Sequence, residues 1–312
     1  MSIRSTEAYK SFRKQWETRL STQKSATEIR KELDILNDKD VHSQPWVPHT
    51  GMHGIKRKGQ QKLYYADLLA FLLYVQKNES LPKYCVVAGG GGGKKGGFHF
   101  FKLVHQIQAL SGSLGSTEWH LYDPGGFYKD LKKLNGVNIY ENREGFFSET
   151  TALQWQGQTG VLFLSDIRNV DKRCKIKGSQ ESLIHSEKLI QKDMQDQKTW
   201  VEIMQPEMAV LKFKAPYVID RTKSHAFEYL DGGLYFEPYD TYNSTEMRLV
   251  VTDPSKVKSY DFLEIESTCA WFNNNARGRG KWDEERAREI EEAYKDLQGT
   301  TLSSMQSNLT NL

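Results

Sequence analysis

Several residues in this sequence stand where chemistry could be done. Lys212 lies in Val210-Leu211-Lys212-Phe213, a lysine among apolar neighbours on a segment that reads as a strand. Buried there, it would lose solvation, its pKa would fall, and it could act as a base. On an edge strand that alternates in and out it would be an ordinary surface lysine. Asp123 and Asp166 each follow a short apolar run, Trp119-His120-Leu121-Tyr122 and Val161-Leu162-Phe163-Leu164-Ser165. An acid closing the second strand, as Asp123 does, can accept hydrogen bonds from a ribose diol. The Pro124-Gly125 that follows fits a turn or helix-cap aspartate equally well. Glu246 leads into another apolar run and, taken alone, is an exposed residue at the start of a strand.

A glycine run follows a third apolar run, Tyr84-Cys85-Val86-Val87-Ala88. It comprises Gly89 to Gly93, then Lys94, Lys95, Gly96 and Gly97. Glycines directly after a strand let the backbone turn tightly and approach a ligand. Gly91, Gly93 and Gly96 fit G-x-G-x-x-G, a weak match in so glycine-rich a stretch. The phosphate-loop pattern fails, because Ala88 and Lys95 occupy positions that need glycine and Ser or Thr. The candidate cofactor contacts are therefore Gly89, Gly91, Gly93, Asp123 and Asp166. Basic residues gather at Lys56, Arg57, Lys58 and Lys62, and again at Arg168, Lys172, Arg173, Lys175 and Lys177. Each group reads first as a solvated loop, but the second follows directly on Asp166 at the sheet edge, where it could supply phosphate contacts at the crevice mouth.

The elements that must position these residues alternate. Helices are predicted at 62–77, 98–110, 126–134, 181–197, 260–276 and 282–297, with two more near 6–20 and 26–36. Strands are predicted at 84–88, 119–122, 137–140, 161–164, 200–204, 209–213 and 248–252. The pattern implies an α/β fold, a mostly parallel sheet covered by helices on both faces. In such sheets ligands bind at the carboxyl ends of the strands, where the glycine run, Asp123 and Asp166 all fall. Residues 1–50 read as a polar N-terminal extension, 51–280 as the main domain, and 281–312 as a charged helix with a Ser/Thr/Asn-rich disordered tail from Gly299.

The chain has 312 residues, 38% hydrophobic and 27% charged, with a formal net charge of +3. That charge argues against a wholly basic nucleic-acid binder and leaves room for a local basic groove. Cys85, Cys174 and Cys269 are too far apart for a zinc site or a disulfide framework, which points to a reducing, cytoplasmic setting. The first thirty residues carry no apolar signal, and the longest apolar stretch, 63–75, contains Asp67 and is too short to span a bilayer.

Read together, the spaced segments resemble the poxvirus-type cap-specific mRNA 2′-O-methyltransferase, which in poxviruses is also the small subunit of the poly(A) polymerase. Gly59-Gln60-Gln61-Lys62-Leu63 resembles the family's first-lysine segment, and Leu164-Ser165-Asp166-Ile167-Arg168 its strand-end acid. Leu211-Lys212-Phe213-Lys214-Ala215-Pro216-Tyr217 resembles the second-lysine segment, and Ser244-Thr245-Glu246-Met247-Arg248-Leu249 its Ser-x-Glu-Met-Arg-Leu. The four motifs occur in order between about residues 59 and 277.

The resemblance implies a Rossmann-like S-adenosylmethionine-dependent methyltransferase fold, with capped mRNA as substrate, a polymerase catalytic subunit as partner and no metal. It implies a catalytic tetrad of Lys62, Asp166, Lys212 and Glu246, with Lys212 as the base for the ribose 2′-hydroxyl of the first transcribed nucleotide. It also implies that the methylated guanine of the cap stacks on Tyr217 and is read at its edge by Glu266 and by Asp220, adjacent to Ile219 where the family has its acid. Trp46 is the candidate second stacking face. The sequence departs from the family at the cofactor loop, where a glycine run with Lys94 and Lys95 replaces Ala-Pro-Gly and a following His. Two other readings compete. One is a non-catalytic RNA-binding or processivity subunit on the same fold. The other is a nicotinamide-dependent oxidoreductase built on the glycine pattern and Asp123, which leaves Lys62, Lys212 and Glu246 without a role.

Overall fold

The structure, a computed structural model, describes residues 58–92, 96–111, 114–169, 180–214, 226–240, 244–261, 265, 269, 272–273, 277 and 282–310. The N-terminal extension with Trp46, the loop residues Gly93, Lys94 and Lys95, the basic residues Lys172, Arg173, Lys175 and Lys177, and Tyr217, Ile219, Asp220 and Glu266 lie outside the described residues.

Helix α1 spans Lys58–Asn78, followed by β1 Tyr84–Gly89, α2 Phe98–Gln108, β2 Glu118–Tyr122 and β3 Val137–Tyr140. The chain continues through α3 Glu149–Leu153, β4 Val161–Asp166, α4 Gln180–Met204 and β5 Met208–Lys214. It then forms β6 Ala226–Leu230, β7 Gly233–Tyr235, β8 Glu246–Val251, β9 Val257–Asp261 and α5 Trp282–Thr310.

Seven strands make one sheet in the order β3-β2-β1-β4-β5-β8-β7. Strands β1 to β5 are parallel, and β8 runs antiparallel between β5 and β7. This mixed α/β architecture is that of a Rossmann-like methyltransferase fold. The parallel strands are short and almost wholly apolar, as strands buried on both faces must be. The chain builds outward from β1 in one direction and from β4 in the other. The topological switch therefore falls between β1 and β4, where Gly89 pairs in register with Asp166.

Strand alternation splits the core in two. Val87, Leu164, Val210 and Val250 face α1, α2 and α5, whereas Ala88, Phe163, Leu211 and Leu249 face α3 and α4. Helix α1 presents Tyr64, Leu68, Phe71 and Val75 at helical spacing to the first side. Helix α5 adds Ala287, Ile290 and Tyr294 to the same cluster, so the C-terminal helix is part of the main core.

Four differences separate the structure from the sequence expectation. Residues 200–204 are the last turn of α4 rather than a strand. Ile190, Met194, Val201 and Met204 fall on one helical stripe, which a five-residue window misreads as a continuous apolar run. Residues 126–134 hold only a 3-10 turn, Lys129–Lys133. Strands β6, β7 and β9 have no counterpart in the expectation; β6 and β9 form a separate antiparallel ribbon whose residues are largely polar or exposed. Helix α5 also continues past Gly299 to Thr310, beyond the point where composition suggests the tail begins.

Candidate functional site

The same alternation that builds the core also builds a charged cluster. Asp166 lies two residues beyond Leu164 on β4, Lys212 two beyond Val210 on β5, and Glu246 and Arg248 precede Val250 on β8 by four and two residues. All four side chains therefore project from the sheet face covered by α1, the helix that carries Lys62 in its second turn. Leu211 and Phe213, on either side of Lys212, point into the opposite core and fix the strand's orientation.

The side chains meet closely. Lys62 Nζ is 2.6 Å from Glu246 Oε1 and 3.2 Å from Asp240 Oδ1. Lys212 Nζ is 3.0 Å from Asp166 Oδ1 and 3.6 Å from Glu246 Oε1. Arg248 joins Asp166 at 2.6 Å and Glu237 at 2.7 Å, and donates to the Ser165 carbonyl oxygen at 3.2 Å. Arg168 donates to Glu246 Oε2 at 2.9 Å. The structure thus brings together Lys62, Asp166, Lys212 and Glu246. It also places Arg168, expected from the sequence among the phosphate contacts, in an ion pair with Glu246.

The electrostatics follow from burial opposed by neighbours. Burial alone would push Asp166 up, but Lys212 and Arg248 outweigh it and hold the carboxyl well below the usual range. Glu246 is likewise held low, burial being overcome by Lys212, Lys62, Arg248 and Arg168. Burial would push Lys62 down, yet Glu237, Asp240 and Glu246 together raise its ammonium well above the lysine range. Glu237 itself is raised, because burial and the adjacent Asp240 and Glu246 outweigh Arg248 and Lys62.

Lys62, Asp166, Arg168 and Lys212 of the cluster line a cavity of about 780 Å³. Gly89, Gly90, Gly92 and Asp123 line another wall of it, and Phe146, Ile167 and Trp200 also contribute. Here the backbone rather than side chains makes the surface. Asp123 Oδ2 accepts from the Gly91 amide at 2.8 Å and Oδ1 from the Gly125 amide at 2.7 Å, which is the turn role for this residue. Each carboxylate oxygen retains a second lone pair toward the cavity. A Cβ on Gly91 would lie 2.6 Å from the Gly126 carbonyl oxygen, and one on Gly96 2.1 Å from that of Gly91. These glycines let two loop segments close against each other, and Gly89 and Gly90 take positive φ to turn the chain out of β1.

Sequence reasoning missed four contributors. Gln60 lines the cavity, and its Oε1 accepts from the His99 amide at 3.3 Å, tying the first turn of α1 to the first turn of α2. Arg248 has a sequence signal like that of Lys212, a charge inside an apolar strand. Glu237 and Asp240 sit on an irregular loop between β7 and β8, where no periodicity marks a residue as buried. Among the described residues no group of three His, Cys, Asp or Glu could hold a metal ion, and no helix is long and apolar enough to cross a membrane.

A family model described as the poly(A) polymerase regulatory subunit matches residues 33–283. Among solved structures the chain is similar to bluetongue virus VP4, a multifunctional RNA-capping protein. The identity is 14% and the TM-score 0.41, over 70% of this chain and 33% of that one. The chain thus spans about a third of that protein's length. No curated protein sequence matches it.

Proposed function

We propose, from the premise that the chain belongs to the poly(A) polymerase regulatory subunit family, that it is a cap-specific mRNA 2′-O-methyltransferase using S-adenosylmethionine. The observation that carries this reading is the convergence of Lys62, Asp166 and Lys212, the two lysines tied together by Glu246, on a cavity also lined by a glycine loop.

The cavity fits the cofactor. Its volume suits a nucleoside-sized ligand, and Gly89, Gly90 and Gly92 line it without side chains, so a ligand can approach the backbone there. Gly89, Gly91, the adjoining Gly93 and Asp123 would hold the nucleoside, with Asp166 beside it. When bound, S-adenosylmethionine supplies an electrophilic methyl group on a sulfonium. The protein's own part is to align a ribose 2′-hydroxyl and take up its proton. Lys212 Nζ contacts the hydroxyl and accepts that proton. Asp166 and Glu246, ionised at neutral pH, hold Lys212 Nζ in place from two sides. Lys62 fixes Glu246. Tyr217, Asp220 and Glu266 take the methylated guanine of the cap, and Arg168, Lys172, Arg173, Lys175 and Lys177 follow the RNA backbone.

The test is transfer of labelled methyl from S-adenosylmethionine to a capped oligonucleotide, against an uncapped one, with the product nuclease-mapped to the 2′-position. No transfer under conditions where the cofactor binds would overturn the reading. Membership of a regulatory-subunit family favours a second role, as a regulatory partner of a polymerase catalytic subunit. Tail extension by that subunit, with and without this chain, tests it separately. A calorimetric titration with S-adenosylmethionine and with NAD distinguishes the oxidoreductase alternative.

A further inference from the structure

Lys62 and Lys212 share one carboxylate oxygen, Glu246 Oε1, and are about equally shielded, their side chains being 14% and 11% exposed. Beyond that oxygen their surroundings differ. Lys62 Nζ has Asp240 Oδ1 at 3.2 Å and Glu237 Oε2 at 4.0 Å. Lys212 Nζ has Asp166 Oδ1 at 3.0 Å, but Arg248 Nη2 approaches that same oxygen more closely, at 2.6 Å. Glu246 Oε1 is also nearer to Lys62 than to Lys212. Each anion next to Lys212 therefore lies closer to another cation, whereas Lys62 has two further carboxylates within 4.0 Å, Asp240 and a Glu237 that it shares with Arg248 at 2.7 Å.

Those extra carboxylates sit on one fixed loop between β7 and β8. Arg277, 2% exposed, donates from Nη2 to the Glu237 carbonyl oxygen at 2.6 Å. Asp283 on α5 accepts from the Tyr239 amide at 3.0 Å. The Tyr239 ring lies against that of Tyr65 on α1, with centroids 5.7 Å apart, one turn from Lys62. The loop is thus anchored to the C-terminal helix and to the helix that bears Lys62.

We propose that Glu237 and Asp240 are positioning residues that clamp Lys62 as a permanent ammonium, so that of the two lysines at the site Lys212 alone exchanges its proton with a substrate hydroxyl. The proposal rests on the methyl-transfer reading of the site. The charged groups facing Lys62 are Glu237 and Asp240 from the loop, and Glu246 and Arg248 from β8. Arg248 opposes its positive charge, as does Lys212 on β5 across the shared Glu246 Oε1.

The experiment is trace acetylation with acetic anhydride at pH 9, which modifies neutral amines, read lysine by lysine by mass spectrometry against the exposed Lys129. In the wild type, Lys62 labels least and Lys212 several-fold more. In Asp240→Asn, Lys62 labelling rises by about tenfold or more, since an opposite charge within about 4–6 Å is worth a pKa unit or more. Circular dichroism checks the fold, and Glu237→Gln supplies the same test from the other carboxylate if Asp240→Asn does not fold. Lys62 labelling equal to that of Lys212 in the wild type overturns the clamp. So does unchanged Lys62 labelling in a folded variant, even one with a lowered melting temperature. Methyl transfer is followed in parallel. In Asp240→Asn the acid limb of its pH–rate profile moves to lower pH, because a cluster with one anion fewer favours the protonated lysine less. A wild type that transfers no methyl sinks the methyltransferase reading, while the labelling still decides the clamp.

Discussion

The two walls of the cavity are made of different materials. One is backbone: Gly89, Gly90 and Gly92 beside the turn at Asp123, where a Cβ on the intervening Gly91 would strike the Gly126 carbonyl oxygen. The other is charge: Lys62, Asp166, Arg168 and Lys212 line it, held by ion pairs to Arg248, Glu237, Asp240 and Glu246. A backbone wall recognises by shape, and its faults are steric. A charged wall acts by proton and field, and its faults depend on pH. Substitutions on the charged wall should therefore cost rate and leave cofactor affinity alone, and those on the glycine wall should do the reverse. The sharpest way to break that contrast is Lys212→Arg, which keeps the charge but cannot yield a proton. We expect methyl transfer to fall by at least about 10²–10⁴-fold, the usual worth of a general base, with S-adenosylmethionine affinity within a few-fold of wild type. Weakened cofactor binding in this variant would mean that the walls are not separable.

The charged wall should also show in stability. Asp166 and Glu246 have depressed pKa values in the folded protein. Their contribution is present above the unfolded carboxylate value and is lost as pH falls through the folded one. Lys62, raised in the folded protein, contributes fully below its unfolded value and loses that contribution only as strongly alkaline pH is approached. At pH 7, Asp166→Asn should cost on the order of 3 kcal/mol, because it leaves Lys212 and Arg248 short of a buried partner. The gap to wild type should close as pH falls below about 4 toward 2, where the wild-type carboxylate begins to protonate in the unfolded and then in the folded chain. Urea midpoints measured across that window check it, and a gap that stays constant would assign the cost to packing.

On the glycine wall the expected fault is steric. In Gly91→Ala the new Cβ would lie 2.6 Å from the Gly126 carbonyl oxygen and 2.8 Å from Asp123 Cβ. Relief requires the loop and the Asp123 turn to separate, at about 1–3 kcal/mol, typical of overpacking. Cofactor affinity should drop about tenfold or more, read by calorimetric titration, with no change in the pH dependence of whatever methyl transfer remains.

What the sequence makes legible follows the same division. Strands β1, β2, β4 and β5 are continuous apolar runs, so Asp123, Asp166 and Lys212 can be placed at strand ends and on a strand before any coordinates are seen. The partnership of Lys62 with Glu246 spans 184 positions, and no local pattern reports a contact of that range. Only the ordered motifs of a known family suggest it. Arg248 is visible by the argument that singles out Lys212, since both interrupt an apolar strand on the same face. Glu237 and Asp240 are illegible because the irregular loop between β7 and β8 buries residues without periodicity. The strand expected at 200–204 fails for the opposite reason: Trp200, Val201 and Met204 do satisfy a period, but a helical one that needs a longer window.

The smallest effect should come from Asp123→Asn, and it separates two roles that the geometry superimposes. The carboxylate accepts from the Gly91 and Gly125 amides and also faces the cavity. Asparagine keeps one acceptor oxygen for a backbone amide and turns an NH₂ group toward the other. Losing a charged acceptor costs about 1.5–3 kcal/mol, partly absorbed by loop relaxation, so cofactor affinity should fall about threefold to thirtyfold. Pairing the variant with a cofactor analogue that lacks the ribose 2′-hydroxyl closes a double-mutant cycle. If Asp123 only ties the loop, the losses from the variant and from the analogue add. If it also accepts from the ribose, the second change costs little once the first is made, because the hydrogen bond is already gone. Additive losses would leave Asp123 a purely structural member of the backbone wall. A coupling of about 1 kcal/mol or more would make it the one side chain there that reads the ligand directly.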